Sequence, residues 1–152
     1  ALAVIRNEKF GGSVDAGAVA VATLYHDASE ILTGDMPTPI KYYNPAMKDA
    51  YKHVERRANQ YLLDMLPQQL RDAYVPYMLG EDEQVEHIVK AADKLAAYIK
   101  CVEEQKAGNL EFESATRQTL ESMHAMERPE LNWFIAECLP AFALKLDELG
   151  IM

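Results

Sequence analysis

Residues 16–33 read AGAVAVATLYHDASEILT, and the periodicity of this stretch decides the reading of the chain. Residues 16–26 carry no fixed charge, and Val19, Val21, Ala22, Leu24 and Tyr25 leave no polar face wide enough to meet water. That pattern predicts a helix buried all round. It is expected to start after Asp15 as N-cap and to run to about Leu32. His26, Asp27 and Glu30 fall near its end, with Glu30 one turn beyond His26 on the same face. An imidazole and two carboxylates in poorly solvated surroundings call for a cation. The alternative is that Asp27 and Glu30 mark where the helix reaches the surface, with His26 hydrogen-bonded inside.

The next residues, Thr33-Gly34-Asp35-Met36-Pro37-Thr38-Pro39, hold two prolines that stop the helix and are expected to keep the chain beyond them extended. Asp35 beside Gly34 suits a helix C-terminal turn with Gly34 as its cap. A further acid, Asp93, stands where a helix should be apolar. Val85, Ile88, Val89, Ala92, Leu95, Ala96, Ile99 and Val102 recur at three- and four-residue steps, so one stripe of this helix faces a core. Asp93 projects at the edge of that stripe, free to serve a site or to pair with Lys90 or Lys94.

Helices account for the rest. Asn44-Pro45 is a cap followed by proline at the first helical position, opening a long helix to Pro67. A shorter one follows from Gln68 to about Met78, then a break at Gly80 and the Asp93 helix from about Asp82 to Ala107, stopped by Gly108. Two more are expected, Leu110 to Glu127 and Glu130 to Leu149, the second kinked near Pro140. No strand-like alternation competes, so the fold class is all-α: a single compact helical domain over residues 1–152.

Composition narrows the partners. The net charge is −9 with no stripe of Lys and Arg interleaved with aromatics, which argues against a nucleic-acid polymer. No apolar run is long enough to span a bilayer, and no signal peptide is legible, so no membrane partner is expected and the compartment is read as cytoplasmic. Cys101 and Cys138 stand in apolar helical contexts and read as reduced packing residues. His53, among Lys52, Glu55, Arg56 and Arg57, reads as a solvated histidine. Trp133 and Phe134 read as core residues ahead of a dimer contact.

The strings YHDASEILTGDMPTPIKYYN at 25–44 and KAADKLAAYIKCVEE at 90–104 together resemble the HD-domain phosphohydrolases, and among them the bacterial 5'-deoxynucleotidase (YfbR-like) branch. The likeness runs from NEKFGGSVDA at 7–16 to LPAFALKLDE at 139–148. The resemblance implies an all-helical HD domain, one divalent metal ion, and hydrolysis of deoxyribonucleoside 5'-monophosphates by a homodimer. It makes His26, Asp27 and Asp93 three of four metal ligands and Glu30 the catalytic acid or base. Asp35, Met36, Pro37 and Thr38 become the substrate loop, with Asp27 also at the substrate. Imidazole nitrogen with carboxylate oxygen suits Mn, Co, Fe or Zn. The family's first ligand is a histidine from an earlier helix, whereas His53, His87 and His124 all lie downstream of the HD pair. With no initiator Met and an opening ALAVIR that reads as the tail of a helix, an upstream segment is expected. Another nucleotide-directed HD hydrolase, or a catalytically silent nucleotide-binding module, are the alternatives.

Overall fold

The computed structural model of the chain describes residues 1–41, 43–80, 82–144, 148 and 150, with the backbone alone at 38 and 39. Among these residues the order is α1 (Leu2–Phe10), α2 (Ala16–Tyr25), α3 (Glu30–Thr33), α4 (Thr38–Lys41), α5 (Pro45–Asp64), α6 (Gln68–Leu79) and α7 (Glu83–Lys106). A 3-10 turn (Leu110–Phe112), α8 (Glu113–His124), α9 (Pro129–Glu137) and α10 (Pro140–Ala143) complete it. No strand occurs among them, and the fold is all-α. The chain forms two compact units, one of residues 17–86, the other of residues 1–16 with the described residues from His87 onward.

In the unit of residues 17–86, α5 is the spine. Its start follows the expected chemistry: the Asn44 side chain accepts the Met47 N–H at 2.8 Å, and Pro45 occupies a first-turn position where a missing N–H costs nothing. Tyr51, Ala58, Asn59 and Leu63 form its buried stripe at helical spacing. α3, α4 and α6 all pack on α5. The buried Asn59 donates to the Met78 carbonyl at 2.9 Å, fixing the end of α6. Gly80 closes α6 in the left-handed region at φ 66°, and a Cβ there would meet the Glu86 carboxyl at 2.5 Å.

Three expectations need correction in this unit. The HD helix does not continue to Leu32: α2 starts after Asp15 but stops at Tyr25. Residues 26–29 are turns in which Ala28 N–H donates to the Tyr25 carbonyl (3.0 Å) and Glu30 N–H to that of Asp27 (2.9 Å). These bonds span three residues, so the chain tightens there and the α-helical ladder is interrupted. Nor is α2 buried all round. Only Val19 and Ala22, three apart, are buried, while Leu24 is 80% and Ile31 77% exposed. Absence of charge made the helix look internal, but only one stripe is covered. Lastly, the chain after the prolines is helical where extension was expected. The Pro37 carbonyl accepts the N–H groups of Ile40 (2.8 Å) and Lys41 (3.1 Å), and Pro39 sits in the first turn of α4, where proline is tolerated.

In the other unit α1 packs against α9, burying Leu2, Ala3, Leu131 and Phe134. The expected core role of Phe134 holds, and Trp133 lies half-buried with Lys9 Nζ 5.6 Å from its ring. α1 runs over the nine residues Leu2–Phe10 and is ended by Gly11 at φ 64°. Asn7 then ties down the following loop, donating to the Val14 carbonyl (2.8 Å) and accepting its N–H (2.9 Å). α7 follows Asp82, whose Oδ1 accepts the Gln84 N–H at 2.8 Å. Its buried positions in this unit are Ile88, Val89 and Leu95, as expected, with Ala91 and Cys101; Ala92 is half-buried and Ala96 exposed, so these two positions of the expected stripe are not in the core. α8 ends at His124, short of Glu127. Pro140 divides the last expected helix into α9 and α10, because its missing N–H starts a new first turn. The expected end near Leu149 lies outside the described residues. Cys101 and Cys138 are free thiols, as expected.

Candidate functional site

The turn after α2 places the HD pair side by side. His26 Nδ1 lies 2.7 Å from the Thr23 carbonyl oxygen, and a carbonyl only accepts, so Nδ1 carries a proton. Nε2 is therefore the nitrogen left for other chemistry, and it stands 2.9 Å from Asp27 Oδ2. That separation is a hydrogen bond when a second proton sits on Nε2. An imidazole nitrogen and a carboxylate oxygen are both of the kind that can donate to a metal once no proton lies between them. The side chains are 29% and 58% exposed, so an ion can reach them from solvent. A pinned Nδ1–H beside a neutral Nε2 donor is the arrangement metal-binding histidines use. The donor set of this pair fits a divalent ion of the Mn, Co, Fe or Zn class. Among the described residues no group of three or more His, Cys, Asp and Glu side chains is gathered as a metal site.

Glu30 opens α3 directly after that turn. Burial raises its carboxyl above the ordinary range; Asp27 and Asp35 add to the rise, Lys41 opposes it, and Glu55 adds again. Asp27, Glu30 and Asp35 thus share one electrostatic neighbourhood, in which Lys41 is the cation. Glu30 was expected on the HD helix itself. It is instead joined to the pair through its own N–H, which donates to the Asp27 carbonyl at 2.9 Å.

The loop from α3 to α4 is held at both ends. Gly34 lies at φ 69° and ψ 165°, a conformation that L side chains rarely adopt, and its N–H donates to the Glu30 carbonyl at 2.9 Å. The Gly34 carbonyl accepts from Thr33 Oγ1 at 2.9 Å and from the Tyr51 hydroxyl at 3.2 Å. Asp35 and Pro37 are exposed and Met36 is half-buried, while the Thr38 side chain lies outside the described residues. Beyond the loop, Lys41 Nζ donates to Glu55 Oε1 at 2.8 Å and lies 4.8 Å from the centre of the Tyr51 ring.

Residues 26–41 therefore bring together His26, Asp27, Glu30 and the backbone of the Asp35 loop. Asp93 belongs to the other unit, where it is exposed on α7. Lys41, Tyr51 and Glu55 are the residues that sequence reasoning passes over. Tyr51 and Glu55 are four apart on α5, which puts them on one face, but their partners Gly34 and Lys41 lie 17 and 14 positions away, beyond local spacing.

Known proteins align with this chain along nearly its full length. The family described as 5'-deoxynucleotidase YfbR-like matches residues 1–142. A 5'-deoxynucleotidase of Vibrio atlanticus is 44% identical over 152 residues, covering 99% of this chain and 78% of the relative. One from Citrobacter koseri is 45% identical over 153 residues (99% and 76%), and 5'-deoxynucleotidase YfbR of Salmonella newport 46% over 154 residues (99% and 76%). With the HD turn, the raised Glu30 and the TGDMPTP loop in place, the chain belongs to the YfbR-like 5'-deoxynucleotidase family.

Proposed function

We infer that this protein is a metal-dependent phosphomonoesterase that hydrolyses deoxyribonucleoside 5'-monophosphates to deoxynucleoside and phosphate. The observation that carries the reading is the meeting of Glu30, with its raised carboxyl, and the His26 Nε2–Asp27 Oδ2 pair within one turn of chain. His26 and Asp27 would hold the metal, with Asp93 as a third ligand. A divalent ion held there would supply Lewis acidity to the phosphoryl group and to water. Glu30 takes a proton from the attacking water and returns one to the leaving 5' oxygen, a double duty helped by a carboxyl held above its ordinary value. One P–O bond forms and one breaks, and no other reactant is consumed. The Asp35 carboxylate accepts hydrogen bonds from the sugar, and Met36, Pro37 and Thr38 line the same loop against the substrate.

The reading takes residues 1–152 as a single HD domain working as a homodimer. Leu24, Ile31 and Leu32, all exposed and flanking the HD turn in sequence, support a self-contact there. Free thiols at Cys101 and Cys138 suit a reducing compartment, and the reading carries the cytoplasm. Among the described residues no helix is long and apolar enough to cross a membrane.

The test is phosphate release from paired deoxyribo- and ribonucleoside 5'-monophosphates with added Mn or Co, beside a His26→Ala control. Release from the deoxy substrates alone, lost in the control, is the expected result. No release from either set while metal is bound would remove the substrate assignment. For the dimer, sedimentation of Leu24→Glu is expected to show monomer where the unaltered protein sediments as a dimer; a monomeric unaltered protein would end that part of the reading.

A further inference from the structure

The loop that carries Asp35 is gripped at both ends by one face of α5. Tyr51 and Glu55 are four residues apart, so their side chains emerge as neighbours on that helix. The Tyr51 hydroxyl reaches the Gly34 carbonyl, at the start of the loop, at 3.2 Å. The Glu55 carboxylate reaches Lys41 Nζ, at the end of α4, at 2.8 Å. Lys41 closes the grip by lying 4.8 Å from the Tyr51 ring centre, within the range of a cation–π contact. Tyr51 is buried, at 5% exposure, so its ring cannot swing away without opening the unit's core. The charged pair is half-buried, with 29% and 25% exposure, where a charge-assisted bond holds better than at an open surface.

Tyr51 bonds to the loop backbone at Gly34, and Glu55 to Lys41 at the loop's end; Glu55 also adds to the rise of the Glu30 carboxyl, so Tyr51→Phe is the variant that reads the clamp by itself. The backbone between Gly34 and Lys41 is short, and its first residue is a glycine at φ 69°, a conformation glycine adopts without strain. A glycine is also the most permissive point of a chain, so the path of the loop there depends on the bonds that hold it. We propose that Tyr51 and Glu55 are positioning residues that hold residues 34–41 as a preformed sugar-reading loop, and that this clamp sets the discrimination between deoxyribo- and ribonucleotides. The specificity half of the proposal rests on the reading of Asp35 given above; the positioning half stands on the geometry alone.

Two measurements on the full chain decide it. The first needs no substrate: hydrogen exchange of residues 34–41 in the unaltered protein, Tyr51→Phe and Glu55→Gln. Tyr51→Phe keeps the ring under Lys41 and removes only the hydroxyl, so it is not expected to unfold. Exchange over 34–41 is expected to rise about fivefold in each variant, the effect of losing one net hydrogen bond, while α6 amides keep their rates. Unchanged exchange over 34–41, or a rise spread equally over α6, would overturn the clamp. The second is kcat and KM for a deoxynucleoside 5'-monophosphate, its ribo counterpart and phenyl phosphate, which has no sugar. The expected result is a fall of about fivefold in the deoxy-to-ribo ratio of kcat/KM, carried by KM, with phenyl phosphate altered less. Equal losses on all three substrates would mean a merely structural role and overturn the specificity half. If the unaltered protein hydrolyses no deoxynucleotide, the functional reading fails and the specificity half falls with it, while the exchange result still decides the clamp.

Discussion

The α1–α9 contact and the segment 26–41 solve opposite problems with similar residues. In the first, Leu2, Ala3, Leu131 and Phe134 are buried, and the acid among them, Glu130, is 3% exposed with Arg6 3.6 Å away. In the second, the acids Asp27 and Asp35 are exposed, and so are the aliphatics Leu24, Ile31 and Leu32 beside them. One region uses burial to hold helices together; the other uses hydrogen bonds to hold backbone in turns. A segment that keeps acids close together and apolar side chains in water is not arranged for its own stability. Local rules of burial fail where a site needs something else.

Substitutions sharpen that contrast. The largest effect is expected from Leu131→Ala, which empties a fully buried position under α1 and should cost about 2–5 kcal/mol in denaturant unfolding. Leu24→Ala, 80% exposed, should cost little by the same assay. Comparable losses at the two positions would break the comparison. Next comes Arg6→Ala, which strips the facing cation from a buried carboxylate whose Oε2 makes no hydrogen bond; a loss of about 1–3 kcal/mol is expected. Its restoration by a second change, Glu130→Leu, would identify the unpaired charge as the cause.

A smaller, directional effect belongs to the other region. Asp35 raises Glu30 and Lys41 lowers it. Asp35→Asn should therefore let Glu30 ionise at lower pH, moving the limb of the pH–rate profile that reports Glu30 downward. Lys41→Met should move the same limb upward. Shifts in the same direction would contradict the placement of Glu30 between these two charges.

How much of this could be read beforehand differs by region. Helix boundaries with local chemistry were legible: Asn44-Pro45 caps α5, and Gly80 and Asp82 separate α6 from α7. The pairing of His26 with Asp27 was legible as a motif, and Glu30 as its neighbour. The break after Tyr25 was not, because nothing in an uncharged run distinguishes a continuous helix from one interrupted by three-residue turns. The exposure of Leu24 and Ile31 was not, because hydropathy reports what a side chain prefers and not what covers it. Tyr51 to Gly34 spans 17 positions and Lys41 to Glu55 spans 14, so neither bond could be found by local spacing.

The measurement that tests the account most directly is Glu30→Gln, assayed for turnover of a deoxynucleoside 5'-monophosphate, bound metal and thermal unfolding at pH 8. A carboxyl raised in the folded state binds its proton more tightly there, so its ionised form costs stability above the folded pKa and the cost fades as pH falls below the unfolded value. The account predicts turnover lower by about a hundredfold or more, metal retained, and a melting temperature at pH 8 no lower than that of the unaltered protein. Undiminished turnover would contradict it.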